Sequence, residues 1–191
     1  MDERPDDVLV EEARRGKREA FSELARRHQQ RIYGLIYGMT RNRSDADDLC
    51  QEVFLTAFRS IPGFHGRSSF STWVYRIAVN ASLNFLKKRD RERARAGFHE
   101  NLPERDGRKA AAASPEMSAV SNELQDRIED AVGSLPPHFK ASFLLVADQG
   151  LSHAEAARAL GCSENTVSWR MHKARKMLQA RLKPFLDEVG S

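Results

Sequence analysis

The feature that most constrains this chain is the spacing of its apolar residues, which is helical almost everywhere. From Ala20, the positions Phe21, Leu24, Ala25, Ile32, Leu35, Ile36 and Met39 recur at helical intervals, the stripe of an amphipathic helix. Leu49, Val53, Phe54 and Phe58 form a second run, for which Ser44 is the expected N-cap. Trp73, Val74, Ile77, Ala78, Ala81 and Phe85 form a third. Their β-branched and aromatic character would suit a strand, but steps of three and four decide for a helix from about Ser69 to Arg91. Between the second and third runs, "SIPGFHGRSS" (60–69) carries Pro62, Gly63 and Gly66 and reads as a loop. Helical spacing returns at Leu124, Ile128 and Val132, again from Phe139 to Val146, and in two further runs to about Val189. The one long gap is 93–117, which lacks periodicity and mixes Gly, Pro, Ala and charge. A segment that buries so little reads as a flexible linker, with a coil reach of roughly 25–30 Å. The expected fold is therefore all-α. Two small helical domains, 1–92 and 118–191, are joined by the linker at 93–117.

Charge is segregated along the 191 residues. The net charge is only +4, but residues 2–12 carry six acids against Arg4, and 45–58 carry four acids and no base. The stretches 87–95 and 170–183 are strongly basic. That division fits two kinds of partner, one basic and one anionic. Cys50 and Cys162 are isolated and the six His are scattered, so neither a disulfide framework nor a zinc site is expected, and a reducing compartment fits. No apolar run approaches the ~18–20 residues of a membrane span, and the acidic start is unlike a signal peptide. The expectation is a cytoplasmic protein without direct membrane binding. With no nucleophile–base constellation, P-loop or metal-ligand cluster, neither an enzyme nor a cofactor is expected.

The clearest local motif is "LSHAEAARALGCSENTVSWRMHKARKML" (151–178). Ser152 and Glu155 make a capping box, Gly161 suits a left-handed turn, and Ser163 caps a second helix with Val167 and Met171 inward. Ala157, Gly161 and Val167 keep the spacing of a helix-turn-helix. The outward face of the second helix offers Asn165, Thr166, Ser168, Trp169, Arg170 and Lys173, groups suited to base edges and phosphates in a major groove. A plain helical hairpin with a solvated basic face is the competing reading. A second region crowds Phe70, Trp73, Tyr75, Asn80 and Asn84 before a run of Lys and Arg. Flat rings, amides and cations together suit a partner that is both flat and anionic. Phe70 and Tyr75 fit a core better than a contact, while Trp73 fits either.

Taken together, "DADDLCQEVFLTAFRSIPGFHGRSSFSTWVYRIAVNASLNFLKKRDR" (45–91) and "LPPHFKASFLLVADQGLSHAEAARALGCSENTVSWRMHKARKML" (135–178) closely resemble an extracytoplasmic-function (ECF) sigma factor. The resemblance spans about residues 17–183 outside the linker. It implies a first domain that captures the non-template strand of the minus-ten element during melting. Phe64, Ser68, Trp73, Arg76, Asn80, Asn84, Lys87 and Lys88 are its candidate contacts. It implies that the acidic helix docks on the beta-prime clamp of RNA polymerase core, through Asp45, Asp48, Leu49, Gln51, Glu52 and Phe54. Leu49 and Phe54 fit the core equally well. The helix-turn-helix would read the minus-thirty-five element. Ser168, Trp169 and His172 depart from the residue types common in the family, which bears on the bases read rather than on the fold. Further implied partners are the polymerase beta subunit, promoter DNA and a membrane-linked or soluble anti-sigma factor, with the chain a monomer. The alternative is a conventional dimeric helix-turn-helix regulator that binds duplex DNA without polymerase.

Overall fold

The computed structural model describes residues 4–96 and 115–189, and among them every regular element is helical. The order is α1 (Asp6–Arg14), α2 (Arg18–Thr40), α3 (Arg43–Ser60), a 3₁₀ turn (Ile61–Gly63), α4 (Phe70–Arg95), α5 (Pro115–Gly133), α6 (Pro137–Phe143), a π turn (Leu144–Asp148), α7 (His153–Leu160) and α8 (Glu164–Val189). The all-α expectation holds.

Local chemistry explains where these helices begin and end. Ser69 caps α4 by accepting a hydrogen bond from the Thr72 N–H at 3.2 Å. Ser152 and Glu155 form the anticipated capping box on α7, and Gly161 ends that helix at φ 63°. A lost cap of this kind typically costs ~1 kcal/mol. Three boundaries differ from expectation. The cap of α3 is Asn42, whose side chain accepts from the Asp45 N–H at 3.0 Å, so Ser44 lies inside the helix. Its left-handed predecessor Arg41, at φ 58°, turns the chain sharply and brings Asn42 into position. Residues 93–95 prolong α4 instead of starting the linker, with Arg93 and Arg95 against the helix's negative end. Pro115 begins α5, where its missing N–H costs nothing. Of the expected linker, 97–114 lie outside the described residues.

One helix had no counterpart in the sequence reading. α1 buries Leu9, Val10 and Ala13, and its Asp6 meets side chains of α2. Asp6 accepts from Arg27 at 2.9 Å and pairs with His28 at 2.6 Å. The acid-rich start is thus a short amphipathic helix strapped to the first half.

The two halves are not held apart. A single apolar cluster runs from Leu9, Leu24, Ile36, Val53 and Val74 in the first half to Leu144, Leu145, Ala156, Val167 and Met171 in the second. The second half has a smaller core of its own, Ala131, Leu135, Ala174 and Leu178, between α5 and α8. That core is mostly alanine and leucine ends, and the other faces of α6 and α7 bury their apolar surface against α2 and α4.

Lys140 on α6 is caught in this packing at 7% exposure, with no ion pair among the described residues. Burial, followed by the charges of Arg41 and Arg89, pushes its ammonium down from 10.5 to about 8. The unfolded chain therefore holds a proton that the native chain sheds between about pH 8 and 10.5. Stability from this group rises with pH across that window, and the full cost is present below it. Lys140→Met is expected to raise the urea midpoint at pH 7, with the gain over wild type shrinking as pH approaches 10. A gain that stays constant from pH 7 to 10 would remove the buried charge as its cause.

Candidate nucleic-acid interface

The register of α4 sorts its residues into an inner and an outer face. Phe70, Val74, Tyr75, Ala78, Val79, Ser82 and Leu86 are buried. At 100° per residue, Trp73, Arg76, Asn80, Asn84 and Lys87 then fall on one opposite stripe. Trp73 is half-buried, and Arg76, Asn80, Asn84, Lys87 and Lys88 are exposed. Asn80, Asn84 and Lys87 share a cleft with Pro137 and His138 at the start of α6. The Lys88 ammonium lies 4.0 Å from Glu92 in a solvated pair, which is worth little. Ser68, at the loop end before α4, is half-buried and hydrogen-bonds the Ser69 carbonyl at 3.2 Å.

Phe64 departs from expectation as an exposed contact. It is 7% exposed, because the 3₁₀ turn folds its ring onto Trp73, with centroids 4.8 Å apart. Trp73 also meets Phe70, which meets Phe21. Phe64 is therefore a wall behind Trp73, and the pair fixes the indole plane. Tilted pairs of this kind contribute ~0.5–1.5 kcal/mol beyond area burial. Phe64, Ser68, Trp73 and Arg76 line a cleft of about 500 Å³, whose far side is Ala157, Arg158, Gly161 and Cys162 of the helix-turn-helix.

On α3 the same sorting applies. Ala46, Leu49, Val53 and Ala57 are buried, so Leu49, at 6% exposure, is core and not an anchor for a partner. Phe54 is half-buried. Asp48, Gln51 and Glu52 are exposed and continue at helical spacing into Leu55, which is 54% exposed. The i, i+3, i+4, i+7 relation of Asp48, Gln51, Glu52 and Leu55 was readable in the sequence and overlooked there. Asp45 sits at the rim, 3.7 Å from the Arg89 guanidinium. Burial, followed by the charge of Asp47, raises the Cys50 thiol above its ordinary range, which makes it a poor nucleophile.

The helix-turn-helix forms as its sequence requires. Ser163 caps α8, accepting from the Thr166 N–H at 3.2 Å. Val167 and Met171 are buried while Asn165, Ser168, Trp169 and Lys173 are exposed, with Thr166 and Arg170 half-buried. Ser168 Oγ lies 2.9 Å from His153 Nδ1 on α7. Trp169 remains 53% exposed while one edge meets Phe139 of α6, 5.5 Å between centroids. Among the described residues, no group of three or more His, Cys, Asp or Glu is placed to hold a metal ion, and no helix is long and apolar enough to cross a membrane.

Comparison with known proteins places the same two regions in one family. Residues 24–92 match the family described as Sigma-70 region 2, and residues 125–178 match Sigma-70, region 4. The ECF RNA polymerase sigma-E factor of Haemophilus influenzae is 32% identical, over 95% of this chain and 97% of its own length. The RNA polymerase sigma-H factor of Pseudomonas aeruginosa is also 32% identical, over 96% of this chain and 97% of its own. Among solved structures, CnrH in complex with the cytosolic domain of CnrY superposes with a TM-score of 0.68 at 24% identity, covering 94% and 97% of the two chains. The sigma factor RpoE from Bartonella quintana, in complex with the anti-sigma factor NepR, gives 0.68 at 22%, covering 85% and 96%. At those identities the two structures speak for the fold, and the sequence relatives and the ordered pair of regions decide the family. The chain belongs to the ECF RNA polymerase sigma factors.

Proposed function

We propose that this sigma factor docks on RNA polymerase core through the α3 stripe, captures the non-template minus-ten strand along α4, and reads minus-thirty-five duplex with α8. The observation that carries the strand-reading assignment is the single outward face of α4. It presents an indole, two amides one turn apart, and cations in line. Extruding a base costs a few kcal/mol of stacking and pairing. An aromatic surface and hydrogen-bonding amides recover that energy from a single strand, and Arg76, Lys87 and Lys88 attract its phosphates.

The α3 stripe supports a different contact. Asp48, Gln51 and Glu52 are carboxylates and an amide suited to a basic partner, and Leu55 supplies an exposed apolar anchor beside them. This is the surface we assign to the beta-prime clamp. On α8, Asn165, Thr166, Ser168, Arg170 and Lys173 are the proposed groove contacts, with Trp169 braced on Phe139 beside them. The beta subunit is a further proposed partner for the second half. One structural neighbour is a sigma factor solved with an anti-sigma factor, which supports an anti-sigma partner here, soluble or membrane-linked. The proposed setting is the cytoplasm, where core polymerase works, with the free chain a monomer and no cofactor involved.

Run-off transcription with core polymerase on pooled promoter fragments tests this reading. The expected result is new transcripts from defined start sites, lost in an Asn80→Ala/Asn84→Ala variant that still binds core. Tight duplex binding as a dimer, with neither core binding nor transcripts, would instead make the chain a conventional regulator. For the clamp surface, Leu55→Glu is expected to weaken core binding roughly tenfold, the loss of about 1.4 kcal/mol, with thermal stability unchanged because the side chain is already solvated. Undiminished core affinity would exclude Leu55 from that interface.

A further inference from the structure

The buried residues Val167, Met171, Ala174 and Leu178 mark the inner line of α8. At 100° per residue, Asn165, Trp169 and Lys173 fall on the line opposite, and all three are exposed. The polar groups on either side are already engaged inside the motif. The Thr166 hydroxyl lies 2.8 Å from Ser163 Oγ in the cap, and Ser168 Oγ lies 2.9 Å from His153 Nδ1 of α7. Arg170 is half-buried, with its Nη1 directed at Cys162 Sγ, 3.9 Å away. Asn165 has no hydrogen-bond partner among the described residues. The groups left clear to meet base edges are therefore an amide and an indole, one helical turn apart.

The indole is exposed yet held. Its ring meets Phe139 of α6 at 46° between planes, and 53% of the residue stays open to solvent. A ring braced in one orientation loses little conformational freedom when it binds. Position 169 departs from the residue types common in the family, so a contact made there is particular to this chain.

Base edges in the major groove differ in their donors and acceptors and in one apolar group, the 5-methyl of thymine. An amide matches the N6 donor and N7 acceptor of adenine. The indole has no such match on guanine or cytosine, where it would cover polar atoms without replacing their hydrogen bonds to water. Thymine offers it a methyl group. Asn165 and Trp169 are four residues apart, ~6 Å along the helix, about the rise of two base pairs. A protein partner would also cover an exposed indole, but Lys173 and Lys176, exposed on the turns that follow, favour an anionic duplex.

We propose that Trp169 is a specificity-determining residue that packs on the 5-methyl of a thymine in the minus-thirty-five element, about two base pairs from an adenine held by Asn165. Phe139 is its positioning residue. The inference rests on the groove-reading role of α8.

The test uses holoenzyme, assembled from core polymerase and the full chain, on promoter duplexes with a randomised minus-thirty-five segment. Sequencing of the bound fraction is expected to show an adenine and a thymine about two base pairs apart. On a selected duplex, deoxyuridine in place of that thymine removes only the methyl group. Wild type is expected to lose about fourfold in affinity, the worth of one buried methyl. Trp169→Ala is expected to bind the thymine and deoxyuridine duplexes equally, and Phe139→Leu to keep a smaller thymine preference. 5-Methylcytosine at the same position is expected to bind wild type more tightly than cytosine does. Thermal melting checks that both variants remain folded. Wild type indifferent to deoxyuridine at every thymine would overturn the proposal, as would a thymine preference that survives Trp169→Ala. A Trp169→Ala variant that assembles poorly with core yet keeps every base preference would make the indole a protein contact, and would overturn it too. A bound fraction with no base preference in the segment would instead refute the groove-reading role of α8.

Discussion

The packing of α4 is the constraint on which the rest depends. Its buried face, from Phe70 through Val74, Ala78 and Val79 to Leu86, is gripped by α2 and α3 on one side and by α7 on the other. Burial of each large apolar side chain contributes ~1.5–3 kcal/mol, so rotation of this helix by even one residue would expose several of them. That fixed register is what aligns Trp73, Arg76, Asn80, Asn84 and Lys87. The face proposed to read the strand is a by-product of where the core lies: residues not needed inside are free to carry amides and cations outside.

The same helix joins the two halves, and there the balance is closer. Apolar burial, the Tyr75–Gln149 hydrogen bond and the Arg41–Glu129 pair favour contact. Lys140, desolvated by burial and then repelled by the charges of Arg41 and Arg89, opposes it. A net hydrogen bond contributes only ~0.5–1.5 kcal/mol. Terms of this size make the contact between the halves less favourable than its apolar burial alone would give. In the interior of the first half, Leu9, Leu24, Ile32, Leu35 and Ile36 are fully buried and apolar.

Much of the architecture was legible because it is local. Steps of three and four located α2, α3 and α4, and Ser69, Ser152 and Gly161 marked true helix ends. The misses share a cause. Asn42 outcompeted Ser44 as a cap because the left-handed turn at Arg41 presents its side chain. α1 escaped notice because its acids dominate a short apolar stripe, and its value lies in partners on α2. Leu49 and Leu55 look alike in sequence, and only the direction of the α3 core tells one from the other. Phe64 was expected as a contact from the family resemblance of its loop, while the 3₁₀ turn before it folds the ring inward.

The sequence by itself determined that the chain is helical, that it ends in a helix-turn-helix, and that its two regions belong to the ECF sigma family. The first two follow from periodicity and capping, each written within a few turns of chain, and the third from similarity to known sigma factors. Only the tertiary structure decided which aromatic is exposed, which leucine is core, and that the second half lies across the face of α4. Those outcomes depend on contacts between residues far apart in sequence, such as Gly38 with Leu144 and Tyr75 with Gln149, and no local pattern encodes them.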